Sequence, residues 1–476
     1  MLALAAGLLL RLWMLKHFFE LYGDPLIYGA LGKNLLLHGR YVLEGAGGEL
    51  YPTLIRLPGY PLFLALCFRL FGMENYVSAA WVQIALELTG CLLLADFARR
   101  IAPEPLRRGA AHCTLWLAAL CPFTAVYAVV PLTESVTLFM LALALWSAAR
   151  FRARPGWAMA LSFTFAVTYA ALLRPDGALV AVVLAPALLI GLGSPKARCP
   201  ILAPFFWRKG GKPQTLGVPR LARMVVICAL LVLAPFAAWT WRNWQVFHIF
   251  QPLAPRLATD PGENPHPGWE RWVKSWCLDF VSTYDIYWNV PGGSLDMNKL
   301  PARAFDSPAQ YAETAVLAAD YNLDQSITPE IDARFGKLAD ERIAAHPLRS
   351  YLWLPLGRVA DMALRPRIEN LPIDLDWWVY AHHNAETRFS WAYAGLNALY
   401  LLLGIAGLCL RPRFWRPMLA YFLLRAALLA TVEAPEARYT IECFPMLFAL
   451  GGVALYRFTY VVLPSVLKVK ASAGRG

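Results

Sequence analysis

The chain is built around runs of about twenty apolar residues with almost no charge inside them, the length a helix needs to cross a hydrocarbon layer of roughly 30 Å. Composition agrees: 58% of the 476 residues are hydrophobic and 16% are charged, against roughly 25% charged in ordinary globular proteins. A set of soluble domains is therefore excluded. Ten windows qualify, at 1–16, 77–98, 109–127, 132–149, 157–173, 175–193, 224–243, 391–410, 416–432 and 440–460. The expected fold class is an all-α, polytopic membrane protein with about ten transmembrane helices.

Lys and Arg in the short connections set the orientation of such a bundle. The stretches 99–108, 150–156, 194–223, 411–416 and the tail after 464 hold 20 of the 44 basic residues and one acid, Glu104. They are expected on the cytoplasmic side. Elsewhere the chain has 24 basic and 31 acidic residues, so the net charge of +12 follows from topology and needs no nucleic-acid partner. Of nine cysteines, only Cys277 lies in the long polar segment, which gives no disulfide framework. The first apolar run starts at Met1 and contains Arg11, so no cleavable signal is expected.

With the basic loops inside, residues 17–76 and 244–390 lie outside the cytoplasm. The resulting division is an N-terminal membrane module at 1–243 with its first outer loop at 17–76, a large outer-loop domain at 244–390, and C-terminal membrane helices at 391–476. In the first loop, Asp24-Pro25 opens an apolar helix that stops at His38-Gly39, with cap, N1 proline and terminal glycine in place. Pro58 to Phe71 reads as a helix lying at the interface. The large loop is expected to be mixed but mainly helical, with helices at 308–321 and 329–345, the latter capped by Thr328. An apolar stripe from Tyr351 to Met362 marks a further surface-lying helix.

Ionisable residues at membrane depth are costly and usually face a polar cavity or one another. Here Asp24, Arg56, Glu134, Arg174, Asp176, Glu436 and Arg438 all fall at the outer ends of spans. Loops converging there would build a site with one or two carboxylates and several guanidinium groups, a combination suited to phosphate. Each residue also has a structural reading. Asp24 fits a helix cap, Glu134 and Asp176 fit first-turn acids, and Arg56, Arg174 and Arg438 fit interfacial arginines. Arg425 and Glu442, on consecutive spans, read as a structural pair. His382, His383 and Glu386 lack zinc-site spacing and read as solvated loop. No phosphate-binding glycine loop, nucleophile elbow or Cys-x-x-Cys is present.

The run Gly23-Asp24-Pro25-Leu26-Ile27-Tyr28, then Asn34-Leu35, His38-Gly39, Tyr41 and Arg56-Leu57-Pro58-Gly59-Tyr60-Pro61, resembles the first outer loop of bacterial membrane glycosyltransferases of the C-type (GT-C) fold. Pro131-Leu132-Thr133-Glu134-Ser135, Arg174-Pro175-Asp176 and Glu436-Ala437-Arg438-Tyr439 continue the likeness in the expected order and sidedness. Such proteins are similar to protein O-mannosyltransferases, the aminoarabinose transferase of lipid A and the rhizobial lipid galacturonosyltransferases. The likeness covers roughly 1–193 and 391–460, and does not extend to 244–390.

The resemblance implies transfer of a hexosyl or pentosyl group from a polyprenyl-phosphate sugar to an envelope acceptor, with inversion, at the outer face of the cytoplasmic membrane. Asp24 matches the catalytic carboxylate, Arg56 and Arg438 match basic positions for the donor phosphate, and Arg174 is a further candidate. Glu134 and Asp176 are supporting residues, while Tyr28, Tyr60, Tyr439 and Glu436 are others within the motifs. Pro25 stands where protein mannosyltransferases have a second acid, which argues against a protein acceptor. The cofactor is unknown: some family members use a divalent metal, and a hard cation between Asp24 and Glu134 is compatible with that. Competing functions are a transporter or flippase of a lipid-linked saccharide, although the paired repeats of transporters are absent, and a non-catalytic envelope-assembly partner.

This topology predicts that a cysteine introduced near Gly293 reacts with a membrane-impermeant maleimide before the inner membrane is permeabilised to it. Reaction only afterwards would place 244–390 in the cytoplasm.

Overall fold

The computed structural model describes residues 1–190, 218–255, 258–378 and 384–462. His382, His383, most of the basic connection 194–223 and the tail after 464 lie outside the described residues. The chain is mainly helical. In order it forms α1 (Leu2–Phe18), α2 (Asp24–His38), a hairpin of β1 (Val42–Glu44) and β2 (Leu50–Pro52), then α3 (Gly59–Phe71), α4 (Tyr76–Ile101), α5 (Arg107–Ala119), α6 (Pro122–Val129), α7 (Thr133–Ala153), α8 (Trp157–Leu173) and α9 (Leu179–Leu189). The long helix α10 (Val218–Phe247) follows. Next come α11 (Pro267–Lys274), α12 (Pro308–Asp324), α13 (Pro329–Ala345), α14 (Leu354–Leu364), α15 (Asn384–Cys409), α16 (Trp415–Leu429) and α17 (Phe444–Arg457).

The described parts of the ten apolar windows fall largely on helices, the end of 175–193 lying outside the described residues, but among the described residues only five helices are long and apolar enough to cross a bilayer. They are Tyr76–Ile101, Thr133–Ala153, Pro219–Phe247, Asn384–Cys409 and Ala437–Tyr460, and the α5–α6 pair, bent by 52°, makes a sixth if it is one broken span. The count of ten therefore rests on shorter helices. Leu2–Phe18 and Trp157–Leu173 have 17 residues and Trp415–Leu429 has 15, rises of about 22 to 26 Å. The protein is a multi-pass helical membrane protein.

Two compact units emerge. The first comprises Met1–Pro261, Leu399–Phe422 and Ile441–Gly476. Its helices approach closely where small residues allow it, as in other membrane bundles. A Cβ added at Gly452 of α17 would sit 2.0 Å from the Thr114 hydroxyl and 2.7 Å from its backbone nitrogen, so only glycine lets α17 and α5 meet there. Charge is handled by pairing. The buried Arg11 side chain of α1 forms an ion pair with Glu87 of α4 and donates to the carbonyls of Gly7 at 2.8 Å and Ala119 at 2.6 Å. One guanidinium thereby ties α1 to α4 and α5.

In the outer loop, α2 begins at Asp24 itself: Gly23, at φ 67°, takes the N-cap position expected for Asp24, with no side-chain cap, and Gly39 closes the helix in the left-handed conformation at φ 64°, its N–H reaching the Leu35 carbonyl. The β-hairpin was not anticipated from the sequence. It is held against α2 by the Asn34 amide, which donates to the Val42 carbonyl at 2.9 Å. Helix α3 buries Tyr60, Phe63, Leu64, Cys67 and Phe68 and exposes Leu62, Leu66 and Leu70. That i, i+4, i+8 spacing forms one outward apolar stripe, in keeping with a helix lying in the interface.

The second unit comprises Gly262–Ala398 and Leu423–Thr440. Its core packs Trp269, Trp272 and Trp276 against Phe335 and Leu338. Asp332 accepts hydrogen bonds from the amides of Gly268 and Trp269 at 3.0 and 2.9 Å, satisfying two orphan donors at the start of α11. Thr328 caps α13 by accepting from the Ile331 amide, as expected. The expected surface helix is present as a π-turn at Arg349–Trp353 leading into α14, with Tyr351, Trp353 and Leu356 exposed. Its arginines are engaged. Arg349 makes a bidentate pair with Asp306, and this hydrogen bond is the first reason the Asp306 carboxyl lies below its usual range. Burial, by contrast, pushes the Asp361 carboxyl up to about 6 despite its Arg365 partner.

Breaking a buried ion pair from one side costs about 3–5 kcal/mol because the other charge is stranded. Glu87→Leu is therefore expected to lower stability by about that amount in thermal unfolding of the detergent-solubilised protein. The double variant Arg11→Met/Glu87→Leu should recover most of the loss.

Candidate active site

The sequence candidates divide into three groups. In the first unit, Arg56 donates through Nη2 to Asp24 Oδ1 at 2.8 Å. The two residues lie 32 positions apart and meet because each is fixed by a separate element, Asp24 by the first turn of α2 and Arg56 by the segment leading into α3. Both side chains remain partly exposed, so the pair is open to solvent. The Arg56 guanidinium also lies 6.0 Å from the centre of the Tyr28 ring, which meets Tyr60 edge-on at 5.1 Å.

The segment carrying Arg56 is anchored by residues the sequence reading passed over. Arg242 of α10 donates to the carbonyls of Thr53 at 2.9 Å and Tyr41 at 2.7 Å and packs near the rings of Tyr41 and Trp239. The Tyr41 hydroxyl donates to the Arg56 carbonyl at 3.0 Å. Asp260 accepts from the Leu54 amide at 2.7 Å. Further along, Gly59 presses against the end of α8, where an added Cβ would fall 2.6 Å from the Leu172 carbonyl. The Tyr169 hydroxyl donates to the Gly59 carbonyl at 2.9 Å. No local motif signals Arg242 or Asp260, since their partners are backbone atoms about two hundred residues away.

The second group centres on Arg174. Its guanidinium contacts Glu134 at 2.9 Å, Asp176 at 3.2 Å and Glu442 at 3.3 Å. Glu134 and Glu442 are each 1% exposed and Arg174 is 16% exposed. Three carboxylates from the start of α7, the α8–α9 turn and the approach to α17 thus converge on one cation. Glu442, read from the sequence as one half of a structural pair with Arg425, joins this cluster and also accepts from the Tyr421 hydroxyl at 3.4 Å. The two groups are linked through Gln83. Its side-chain oxygen accepts from the Tyr60 hydroxyl at 2.6 Å. Its amide donates to the carbonyls of Ala128 at 3.2 Å and Val130 at 2.9 Å, filling acceptors left at the end of α6, just before Glu134.

The third group lies in the second unit. Arg438 pairs with Glu436, and the Tyr439 hydroxyl donates to the same carboxylate. Arg438 also lies 5.8 Å from the Tyr439 ring centre. Arg425 donates to the Tyr439 carbonyl at 2.6 Å. Deeper in that unit, Arg367 is buried and bonds Asn397 at 3.2 Å and the Ala437 carbonyl at 2.9 Å, fixing the strand of backbone that carries Arg438. Among the described residues, no three His, Cys, Asp or Glu side chains are grouped to hold a metal ion.

Neither a family model nor a curated protein matches the sequence. Among solved structures, the oligosaccharyltransferase of Archaeoglobus fulgidus in complex with Zn and sulfate is similar at 12% identity and a TM-score of 0.49, over 99% of this chain and 51% of that one. The AglB oligosaccharyltransferase of the same organism, in complex with an inhibitory peptide and a dolichol-phosphate, is similar at 12% identity and a TM-score of 0.47, over 98% and 51%. ArnT from Cupriavidus metallidurans bound to undecaprenyl phosphate is similar at 15% identity and a TM-score of 0.38, over 96% and 76%. The chain spans about half the length of the archaeal proteins.

Removing the Arg242 side chain leaves the carbonyls of Tyr41 and Thr53 without their donor, and an unsatisfied buried acceptor costs about 1–3 kcal/mol. Arg242→Met is expected to raise amide hydrogen exchange across residues 41–57 while leaving α4 protected, as read by mass spectrometry of peptides from the two regions.

Proposed function

We propose that this protein is a membrane glycosyltransferase that moves a sugar from a polyprenyl-phosphate donor to a cell-envelope acceptor at the outer face of the cytoplasmic membrane, with inversion. The observation that carries this reading is the Asp24–Arg56 pair: a carboxylate and a guanidinium brought together by two anchored elements and left partly open to solvent. The two side chains supply the two kinds of help that such a transfer needs.

In the reaction, the acceptor hydroxyl oxygen attacks the anomeric carbon while its proton passes to the Asp24 carboxylate. The bond between that carbon and the phosphate oxygen breaks, and its electron pair leaves with the polyprenyl phosphate. Base catalysis contributes about 10² to 10⁴ in rate. Charge gathering on the departing phosphate is stabilised by Arg56, whose fork matches an oxyanion. Without donor, Arg56 neutralises Asp24. A phosphate arriving at Arg56 competes for that guanidinium and releases the carboxylate to act as base, so donor binding itself arms the site.

Arg174 holds Glu134, Asp176 and Glu442 in place and stays a further candidate for the donor phosphate. Arg438 retains the phosphate-binding assignment that its motif implies, and Glu436 and Tyr439 orient it. The Pro25 that follows Asp24 favours a lipid or glycan acceptor over a protein.

Asparagine keeps the shape of Asp24 and its capacity to start a helix but has no site for a proton at neutral pH. In a strain lacking the gene, the intact protein is expected to restore a sugar whose loss is seen by mass spectrometry of envelope glycolipids. Asp24→Asn, accumulating to the same level in membranes, is expected to restore it at least about a hundredfold more slowly. Near-normal restoration would leave Asp24 as a helix-starting residue and move the search for the base to Glu134 and Asp176.

A further inference from the structure

One cavity in the first unit lies away from Asp24 and Glu134. Helix α7 carries Glu134 in its first turn and Arg150 and Arg152 in its last, and from residue 134 to residue 152 an α-helix rises about 27 Å. At the arginine end opens a cavity of 1410 Å³, lined by eight arginines and one acid, Glu104. This exceeds the roughly 300–1,000 Å³ of ordinary small-molecule sites. Arg99 and Arg100 come from the end of α4, Arg107 and Arg108 from the start of α5, and Arg411 and Arg413 from the connection before α16. That connection is tied to α4 by the Arg413 amide, which donates to the Ile101 carbonyl at 3.0 Å.

Among the described residues, acidic side chains meet only part of this charge. Asp96 serves Arg99, Arg100 and Arg150 together, and Glu104 serves Arg107. Among the described residues, the side chains of Arg108, Arg411 and Arg413 make no ion pair. Arg411 lies 5.6 Å from the centre of the Trp415 ring, a contact that leaves its N–H donors available. Orienting the protein requires basic residues near the cytoplasmic ends of spans, but loops spread apart would do that as well. Gathering eight guanidinium groups around one concavity adds mutual repulsion that an anion relieves.

Depth identifies the anion. The walls are the ends of membrane helices, and Trp415 and Tyr456 line them, with Trp146 donating to Asp96 at 3.0 Å. Tryptophan and tyrosine at helix ends mark the level of lipid headgroups, and basic pockets between helices on the cytoplasmic side are suited to anionic ones. Each guanidinium binds one phosphate through two parallel hydrogen bonds, and here arginines stand on two walls: the α4–α5 turn and the 411–416 connection. We infer that this cavity is a binding site for a membrane lipid whose headgroup carries two phosphates. The inference is independent of the glycosyl-transfer reading.

The test uses the full-length protein in neutral detergent, with cardiolipin as the two-phosphate lipid, phosphatidylglycerol, phosphatidylcholine and inorganic pyrophosphate as probes. Cardiolipin is expected to raise the unfolding temperature at concentrations at least tenfold below those needed with phosphatidylglycerol, and phosphatidylcholine to have no effect. The triple variant Arg108→Gln/Arg411→Gln/Arg413→Gln should unfold like the parent without lipid and lose at least tenfold in cardiolipin affinity. On the unmodified protein, cardiolipin should protect those three arginines from phenylglyoxal, read by peptide mass spectrometry, which keeps the test valid if the variant folds poorly. Equal response to phosphatidylcholine, or unchanged reactivity of all three arginines, would overturn the site. Pyrophosphate matching cardiolipin would overturn the lipid and leave a soluble diphosphate as the occupant.

Discussion

A charge carried into an apolar bundle must meet its counter-charge there, because the interior offers neither water nor screening. The first unit is organised by that requirement. Arg11 brings Glu87 to it and in doing so pins the first helix to the fourth and fifth. Arg174 gathers Glu134, Asp176 and Glu442 from three connections. These contacts join residues far apart in the chain, so each fixes a packing arrangement that apolar side chains alone would leave adjustable. The burial of hydrophobic surface drives little between helices already surrounded by lipid; close small-residue packing and paired polar groups do more of that work.

Much of the architecture is legible in the sequence because it rests on local signals. Apolar windows mark the helices, Asp24-Pro25 and Gly39 bracket α2, and Thr328 caps α13. Asp24 and Arg56 are both legible in the sequence as ionisable residues at the ends of spans, but their pairing with each other is not. What escaped the sequence depends on distance in the chain. The strands Val42–Glu44 and Leu50–Pro52 have three residues each, too few for alternation to register. Arg242 and Glu442 act on partners that no spacing rule connects. The number of spans is poorly legible for a different reason: a helix of 15 to 17 residues has the composition of a crossing without its length.

The partly exposed Asp24–Arg56 pair differs in kind from the buried clusters around Arg11 and Arg174. A pair shielded from water is held mainly as structure, since separating it strands a charge. One partly open to solvent can exchange partners at small cost, because water and incoming ligands compensate each group. Its precision therefore has to come from the backbone. Tyr41, Arg242, Asp260 and the Gly59 contact place the segment around Arg56 through carbonyl and amide atoms, so its position does not depend on the guanidinium's own pairing with Asp24.

Gln83 occupies the joint between this outer loop and α6, accepting from Tyr60 while donating to carbonyls of the helix end. An amide is the one common side chain that offers both functions side by side and holds no exchangeable ionic state at any physiological pH. A glutamate there would turn an acceptor toward the Ala128 and Val130 carbonyls, and a lysine would offer no acceptor to the Tyr60 hydroxyl proton. The joint is therefore neutral: the mechanical coupling between loop and bundle runs through an amide and does not depend on any ionic group within it.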